Sequence, residues 1–234
     1  MDKKPPRPTV PAINDSSLAH ESWKIFQVAA ELIEGLERLV STKPCVSIFG
    51  SARTPCGHPY YALTEALGQQ LSNAGFSVIT GGGPGLMEAG NKGAYQGKSF
   101  SIGLNIVLHH QESPNPYQDI SLRFRHFFTR KFMFAKYATA FVFVPGGYGT
   151  LDELGEILAL VQTKKTKMVP IILVNELFWR PLLKWFHENL INDKMIDKSD
   201  LALIQVVNTP EEVVSIIQNF YHPKDTASEV SKAS

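Results

Sequence analysis

Apolar residues recur along the chain with two different spacings, and these divide it into helices and strands. From Trp23 to Val40 they recur every three or four residues, as on one face of a helix. Short uninterrupted apolar runs such as Ala140–Val144 are typical of strands buried on both faces. Strands are predicted at 45–49, 76–80, 99–106, 140–144, 168–174 and 203–207. Helices are predicted at 23–40, 60–73, 86–96, 127–136, 150–162, 178–189 and 210–221.

The alternation of these strands and helices predicts an α/β fold. Continuous apolar strands with intervening helices indicate a doubly wound, mainly parallel, Rossmann-like sheet with helices on both faces. One domain is predicted over 18–221, because no linker or repeat interrupts it. Residues 1–17 are rich in proline and are predicted to form a flexible arm, and 222–234 to form a flexible tail.

Three glycine-containing turns follow predicted strands. They are Gly50–Arg53, Gly81–Gly85 and Pro145–Thr150. Glycine lets a ligand approach the backbone closely, and the first N–H groups of a following helix lack partners and attract anions. Ligands of doubly wound sheets bind at the carboxyl ends of the strands, where these turns meet. One such turn could contain glycine for steric reasons alone, but three at one edge favour a phosphate or carboxylate site.

The third turn opens a helix with Thr150 and Glu153, and this pair is open to two interpretations. Thr-x-x-Glu is the pattern of a capping box, in which Glu153 would bind the Thr150 amide. Alternatively, Glu153 points into the ligand cleft at the carboxyl ends of the strands. A carboxylate beside a sugar there would stabilise oxocarbenium-like charge or activate water. Both roles remain open at this stage.

Familiar phosphate motifs do not fit the other glycine runs. The run 81–86 lacks the last glycine of the dinucleotide fingerprint, and the strand that follows carries no acidic residue. The run 93–99 resembles a P-loop, but it is one residue short and leads into a strand instead of a helix.

Charge and composition restrict the partners. The chain has 234 residues, 44% of them hydrophobic, and a net charge of +1, so an anion must be bound locally. The basic, aromatic segment 123–131 is too short to predict nucleic-acid binding, but Arg130 in it offers a planar fork for phosphate or carboxylate. No signal-peptide core or membrane-length apolar run occurs, so a cytoplasmic location is expected. Two cysteines and scattered histidines predict no metal site.

These turns resemble those of a known family. Pro145–Glu153 matches the PGGxGTxxE motif of the LOG family, the cytokinin riboside 5′-monophosphate phosphoribohydrolases long labelled "lysine decarboxylase". Gly81–Ala89 and Phe49–Arg53 are similar to its two other turns, and Phe128–Lys131 stands where that family places its catalytic arginine. The segments 101–106 and 115–117 resemble the longer bacterial branch.

The resemblance implies hydrolysis of the N-glycosidic bond of a nucleoside 5′-monophosphate, either AMP or a cytokinin riboside 5′-monophosphate. Arg130 and Glu153 would carry the chemistry, without a metal or another cofactor. Substrate contacts are implied for Ser51, Arg53, Gly82, Gly83, Met87, Glu88, Lys131, Gly146, Gly147, Gly149 and Thr150. The implied partners are the nucleotide substrate and further copies of the chain, as a dimer or a hexamer built from dimers, with neither nucleic acid nor membrane. The decarboxylase label is not supported, because that chemistry usually employs pyridoxal phosphate on a lysine, for which no site is evident.

Two other functions remain compatible with the sequence. A nucleotide-binding or carrier protein without catalysis could use the same turns, because a fold does not fix a function. An interaction protein that uses the segment 123–134 would show binding to nucleic acid that weakens with salt.

Overall fold

The computed structural model describes residues 18–107 and 113–222 and contains one parallel sheet. Its strands are β1 (Cys45–Phe49), β2 (Ser77–Thr80), β3 (Ser101–Ile106), β4 (Ile120–Phe124), β5 (Ala138–Phe143), β6 (Ile171–Val174) and β7 (Ile204–Val207). They lie in the order β4-β3-β2-β1-β5-β6-β7. The chain therefore proceeds outward from β1 to β4 and returns to β5 on the other side of β1. This reversal between β1 and β5 is the switch point at which doubly wound folds bind ligands.

Helices cover both faces of the sheet, which confirms the predicted fold class. They are α1 (Leu18–Leu39), α2 (Pro59–Asn73), α3 (Leu86–Tyr95), α4 (Phe127–Tyr137), α5 (Tyr148–Gln162), α6 (Glu176–Trp185), α7 (Lys198–Leu201) and α8 (Pro210–Tyr221). Side chains of α1, α4, α5 and α6 contribute to the core on one face, and those of α2, α3 and α8 to the core on the other. On the first face, the rings of Phe49 and Phe134 lie 4.8 Å apart and link β1 to α4.

The edge strand β4 was not predicted. Its residues alternate: Ile120, Leu122 and Phe124 are the more buried ones, whereas Ser121 and Arg123 are exposed. Such alternation is typical of a strand with one buried face, and the prediction relied on uninterrupted apolar runs. The strand matters because it extends the carboxyl edge of the sheet by one position beside β3.

The C-terminal third differs from the prediction in two further places. The helix predicted over 178–189 is divided into α6, which contains Pro181, and a π-helical segment, Phe186–Ile191. The short helix α7 was not predicted either. Among the other elements, α1 begins at Leu18 instead of 23 and β6 at Ile171 instead of 168, and the rest begin and end close to their predicted bounds. The predicted arm 1–17 and all of the predicted tail except His222 lie outside the described residues.

Candidate functional site

The three glycine turns converge at the carboxyl edge of the sheet, as their positions in the sequence predict. The Ser51 amide donates a hydrogen bond to the Pro145 carbonyl at 3.1 Å, and the Leu86 amide donates one to the Ser51 carbonyl at 2.8 Å. The first turn is thus bonded to both of the others. Together they line a cavity of about 960 Å³, near the upper end of the range for small-molecule sites.

Helix α5 begins two residues earlier than predicted, and this overturns the capping-box interpretation. Gly147 is the N-cap, no side chain caps the helix, and the Thr150 amide already donates to the Gly147 carbonyl at 3.0 Å. The buried Thr150 side chain packs against Gly146, where a β-carbon would collide with it. The amides of Tyr148 and Gly149, which precede the first amide bonded within the helix, belong to residues that line the cavity.

Glu153 lines the same cavity one helical turn further along α5, where its carboxylate is partly buried. Burial raises the pKa of Glu153 to about 7, against the lowering effect of the Lys131 and Arg130 charges. The negative charges of Glu156 and Asp152 add to the increase in this pKa. A carboxyl group with such a pKa changes protonation state near neutral pH, as catalytic acids and bases do.

Arg130 extends from α4 to the floor of the cavity. Its Nε donates to the Leu104 carbonyl at 2.7 Å and its Nη2 to the Gly81 carbonyl at 3.3 Å, and its guanidinium lies 5.4 Å from the centre of the Phe134 ring. A side chain at position 81 would collide with this guanidinium, so glycine is required there for the approach. Burial lowers the pKa of Arg130, and the Glu153 charge opposes that effect.

Lys131, the residue after Arg130, connects α4 to α5. Its ammonium lies 2.7 Å from both the Asp152 and the Glu156 carboxylates. This places a fixed positive charge beside Glu153, between two acidic neighbours.

The structure brings most of the predicted site residues together. Those that line the cavity are Ser51, Arg53, Gly83, Met87, Arg130, Gly147, Gly149, Thr150 and Glu153. Gly82, Glu88, Lys131 and Gly146 are not in the lining. Glu88 instead accepts a hydrogen bond from the Tyr61 hydroxyl at 2.8 Å.

Gly82 does not line the cavity, but its conformation and the hydrogen bonds to its carbonyl hold the second glycine turn in place. Its φ is +73°, a left-handed conformation that favours glycine, and a β-carbon there would collide with Asn105. Its carbonyl accepts hydrogen bonds from Asn115 Nδ2 at 3.0 Å and Gln118 Nε2 at 2.9 Å. The 115–118 segment thereby fixes the second turn.

Sequence reasoning missed the wall of the cavity that lies at β3 and β4. Asn105 and Arg123, paired in register on these strands, both line it, together with Ile106, Val107, Ser113 and Pro114. The apolar–polar alternation of residues 120–124 was the available signal, because it places Arg123 at the carboxyl end of a strand beside β3. The cavity therefore has a glycine-rich end at α5 and a second end at β3 and β4, where Arg123 lies.

Neither a metal centre nor a membrane span is found in the described part of the chain. No group of three or more His, Cys, Asp or Glu side chains within 18–107 and 113–222 is placed to hold a metal ion. None of the helices in these ranges is both long and apolar enough to cross a membrane.

Known proteins with similar sequences are named for reactions of nucleotides. A probable cytokinin riboside 5′-monophosphate phosphoribohydrolase of rice (Oryza sativa subsp. japonica) is 24% identical over 84% of this chain and 79% of its own. The rice cytokinin riboside 5′-monophosphate phosphoribohydrolase LOG is 28% identical over 69% of this chain and 67% of its own. The pyrimidine/purine nucleotide 5′-monophosphate nucleosidase of Escherichia coli K12 is 31% identical over 48% of this chain but only 27% of its own.

Solved structures agree with the fold. The molybdenum cofactor carrier protein of Chlamydomonas reinhardtii is 21% identical, with a TM-score of 0.56 over 77% of this chain and 99% of its own. The molybdenum cofactor binding protein of Rippkaea orientalis is 20% identical, with a TM-score of 0.56 over the same shares. At these identities the likeness concerns the fold alone.

The family assignment follows from a match over more than half of the chain. A family model described as "possible lysine decarboxylase" matches residues 87–217, a range that includes Arg130, the third glycine turn and Glu153. The relatives named above are consistent with that match. The chain belongs to the LOG family, which shares this "lysine decarboxylase" family model.

Proposed function

We propose that this protein hydrolyses the N-glycosidic bond of a nucleoside 5′-monophosphate to give a free base and ribose 5-phosphate. The observation that carries the proposal is the position of Glu153. Its carboxylate has a pKa of about 7 and shares one cavity with Arg130 and with the glycine turn at the start of α5. An anion site and a titratable carboxylate one helical turn apart match the two ends of a ribose 5-phosphate group.

In the proposed reaction, the 5′-phosphate binds to the first amides of α5, at Gly147–Gly149, with Ser51 and Arg53 beside it. Binding of this remote group positions the ribose next to Glu153. The C1′–N bond then breaks, its electron pair leaves with the base, and positive charge develops on the sugar. The ionised Glu153 stabilises this charge and accepts a proton from the water that attacks C1′. The departing base takes up a proton from solvent, and Glu153 then releases its proton to solvent.

The charge state of Lys131 does not suit Schiff-base chemistry at this residue. A lysine that forms a Schiff base must lose its proton to become a nucleophile. Burial lowers the pKa of the Lys131 ammonium, but hydrogen bonds to Asp152 and Glu156 outweigh this and raise it to about 12. Lys131 therefore acts as a fixed charge beside Glu153 and not as a carbonyl-reactive amine.

A comparison of AMP with adenosine tests the proposal. We expect free adenine from AMP, and a kcat/KM at least about a hundredfold lower for adenosine, because the nucleoside lacks the group that α5 would bind. Chromatography of the free base measures both, and N6-isopentenyl-AMP assayed alongside tests the choice of base. Tight binding of AMP by calorimetry without adenine release would instead support the carrier function.

The pH dependence of the reaction tests the role of Glu153. Its carboxyl must be ionised to act, so we expect kcat/KM to rise with pH and to level off above about 7. Lys131→Met removes a charge that lowers this pKa and should move the midpoint upward. Glu156→Gln removes a charge that raises it and should move the midpoint downward, each by about half a pH unit.

The phosphate of the substrate also titrates near pH 6 and contributes to the pH profile in every assay. Because this contribution is the same for every variant, differences between variants report on the enzyme. Glu188→Gln, which changes an exposed ion pair with Lys184, should leave the midpoint unchanged. Shifts of Lys131→Met and Glu156→Gln in the same direction would contradict the role given to Glu153.

We also propose that the protein forms a homo-oligomer through α1 and α4. Large apolar side chains are exposed on both helices, including Trp23 at 62% and Phe26 at 68% on α1, and Phe128 at 59% on α4. Exposed apolar surface of this kind on adjoining helices favours association with a second copy of the chain. Sedimentation of the full chain would measure the state directly.

A further inference from the structure

Glu31 is a buried carboxylate that binds the start of a different helix. Although it lies in the middle of α1, only 6% of it is exposed. It accepts hydrogen bonds from the Arg125 amide at 2.8 Å and from the Thr129 hydroxyl at 2.6 Å. Nδ1 of His126 lies 3.3 Å from both of its oxygens. All of these partners lie immediately before or within the first turn of α4.

This contact supplies what α4 lacks in its own sequence. The N-cap of α4 is His126, whose side chain makes no capping hydrogen bond. A negative charge at a helix N-terminus is favourable because the first N–H groups carry partial positive charge. Burial alone would raise the pKa of Glu31, but the hydrogen bonds from Thr129, Arg125 and His126 outweigh it and lower this pKa. Glu31 therefore caps α4 from α1 by its negative charge, held there by the Arg125 amide just before the helix and by the Thr129 hydroxyl in its first turn.

Two further contacts hold α1 along α4. A β-carbon at Gly35 would come within 2.8 Å of Met133 Cε, so the two helices pack closely at this point. One turn later, the Tyr137 hydroxyl donates to the Leu36 carbonyl at 2.9 Å. Because these contacts fix the two helices against each other, the carboxylate of Glu31 is held in place relative to the first turn of α4.

The first turn of α4, which Glu31 caps, carries the residue that reaches the cavity. Thr129, which donates to Glu31, is followed by Arg130, whose guanidinium must reach the Leu104 and Gly81 carbonyls to lie in the cavity. Fraying of the first turn of α4 would release the backbone on which Arg130 stands. A displaced Arg130 would also remove one of the positive charges beside Glu153.

We infer that Glu31 is a positioning residue for Arg130: by capping α4 from α1, it holds the guanidinium at the cavity floor. The inference rests on the proposed function, in which Arg130 acts on the bound nucleotide. It assigns a role in the site to α1, which lies before the segment that matches the family model.

Glu31→Gln is the variant that tests this inference, with Glu34→Gln on the exposed side of the same helix as its control. The glutamine has the same shape, but it carries no charge and only one accepting oxygen. We expect kcat for AMP to fall about ten- to a hundredfold, as a small misplacement of a catalytic group does. KM should change less than about twofold, because the phosphate would bind to α5. Glu34→Gln should match the wild type in both.

Two further readouts separate positioning from general damage. Hydrogen exchange of the amides of 127–131 should become faster in Glu31→Gln, while exchange in α5 stays unchanged. The Glu153 carboxyl, followed by NMR of ¹³C-labelled protein, should titrate at a higher pH, because Arg130 is one of the charges that lower its pKa. Lys131 follows Arg130 on α4 and also lowers this pKa, so loosening of the turn would act through both charges in the same direction, whereas Asp152 and Glu156 lie on α5.

The outcomes are distinct. Wild-type kcat in Glu31→Gln, or a lower kcat with unchanged exchange in α4 and an unchanged Glu153 titration, would overturn the inference. A wild-type protein that releases no base from any nucleotide would refute the proposed function instead. In that case, the exchange and NMR measurements would still decide whether Glu31 holds the start of α4 and Arg130.

Discussion

Glu153→Gln is expected to abolish base release from AMP while leaving a folded protein. The substitution keeps the size of the side chain but removes the negative charge that would stabilise the developing sugar cation and accept the proton from water. Loss of such an electrostatic contribution typically lowers kcat by about a hundred- to a thousandfold, and loss of the proton acceptor lowers it further. Binding of ribose 5-phosphate should persist, because in the proposed mechanism the phosphate binds to the start of α5 and not to the carboxylate.

The same substitution should stabilise the protein above neutral pH. The folded-state pKa of Glu153, about 7, lies above the ordinary value of 4.5 for a glutamate. Above pH 7 the carboxyl is charged in both states, and its burial destabilises the fold by up to about 3 kcal/mol. Below pH 4.5 it is protonated in both states, and this penalty is absent. Urea unfolding at pH 8 should therefore show a more stable Glu153→Gln protein, and unfolding at pH 4 should show little difference.

Two results would contradict this account. Retained hydrolysis in Glu153→Gln would remove the carboxylate from the mechanism. A variant that is inactive and also less stable at pH 8 would show that Glu153 supports the fold, as a helix cap does, instead of being strained within the site. Glu188→Gln serves as the control, because its carboxylate is exposed and lies in an ion pair on another helix.

Much of the fold could be predicted because its central strands are locally unambiguous. β1, β5 and β6 are short apolar runs between turn residues, and burial on both faces requires that composition. The edge strand β4 buries one face only, so its Ser121 and Arg123 interrupt the apolar run. The same interruption concealed Arg123 as part of the cavity wall.

The site was predictable where local sequence determines it and not where distant contacts do. Glycine turns at strand ends identified the cavity, but the Thr150–Glu153 spacing fits a cap as well as a catalytic carboxylate. The choice depends on the start of α5, which follows a turn bonded to Ser51, far away in the sequence. Glu31 had no local signal at all, because its partners lie almost a hundred residues further along the chain.

Replacement of Arg130 is the second change that we expect to remove most of the activity. Arg130→Met is expected to lower kcat about a hundredfold or more and to raise the pKa of Glu153, because it removes a nearby positive charge. It also removes the charged donor from the hydrogen bonds to the Leu104 and Gly81 carbonyls, and a hydrogen bond to a charged group contributes about 1.5–3 kcal/mol. Enzyme assays, NMR titration of Glu153 and urea unfolding measure the three effects separately.

Arg130→Lys separates the charge of this residue from its geometry. Lysine retains the positive charge, so the pKa of Glu153 should stay close to its wild-type value of about 7. It lacks the planar fork that donates to two carbonyls at once, so hydrolysis should still fall steeply. A lysine variant with wild-type activity would show that the site needs only a positive charge at position 130. Glu31 would act by positioning the planar guanidinium of Arg130. That result would therefore also contradict a contribution of Glu31 to catalysis.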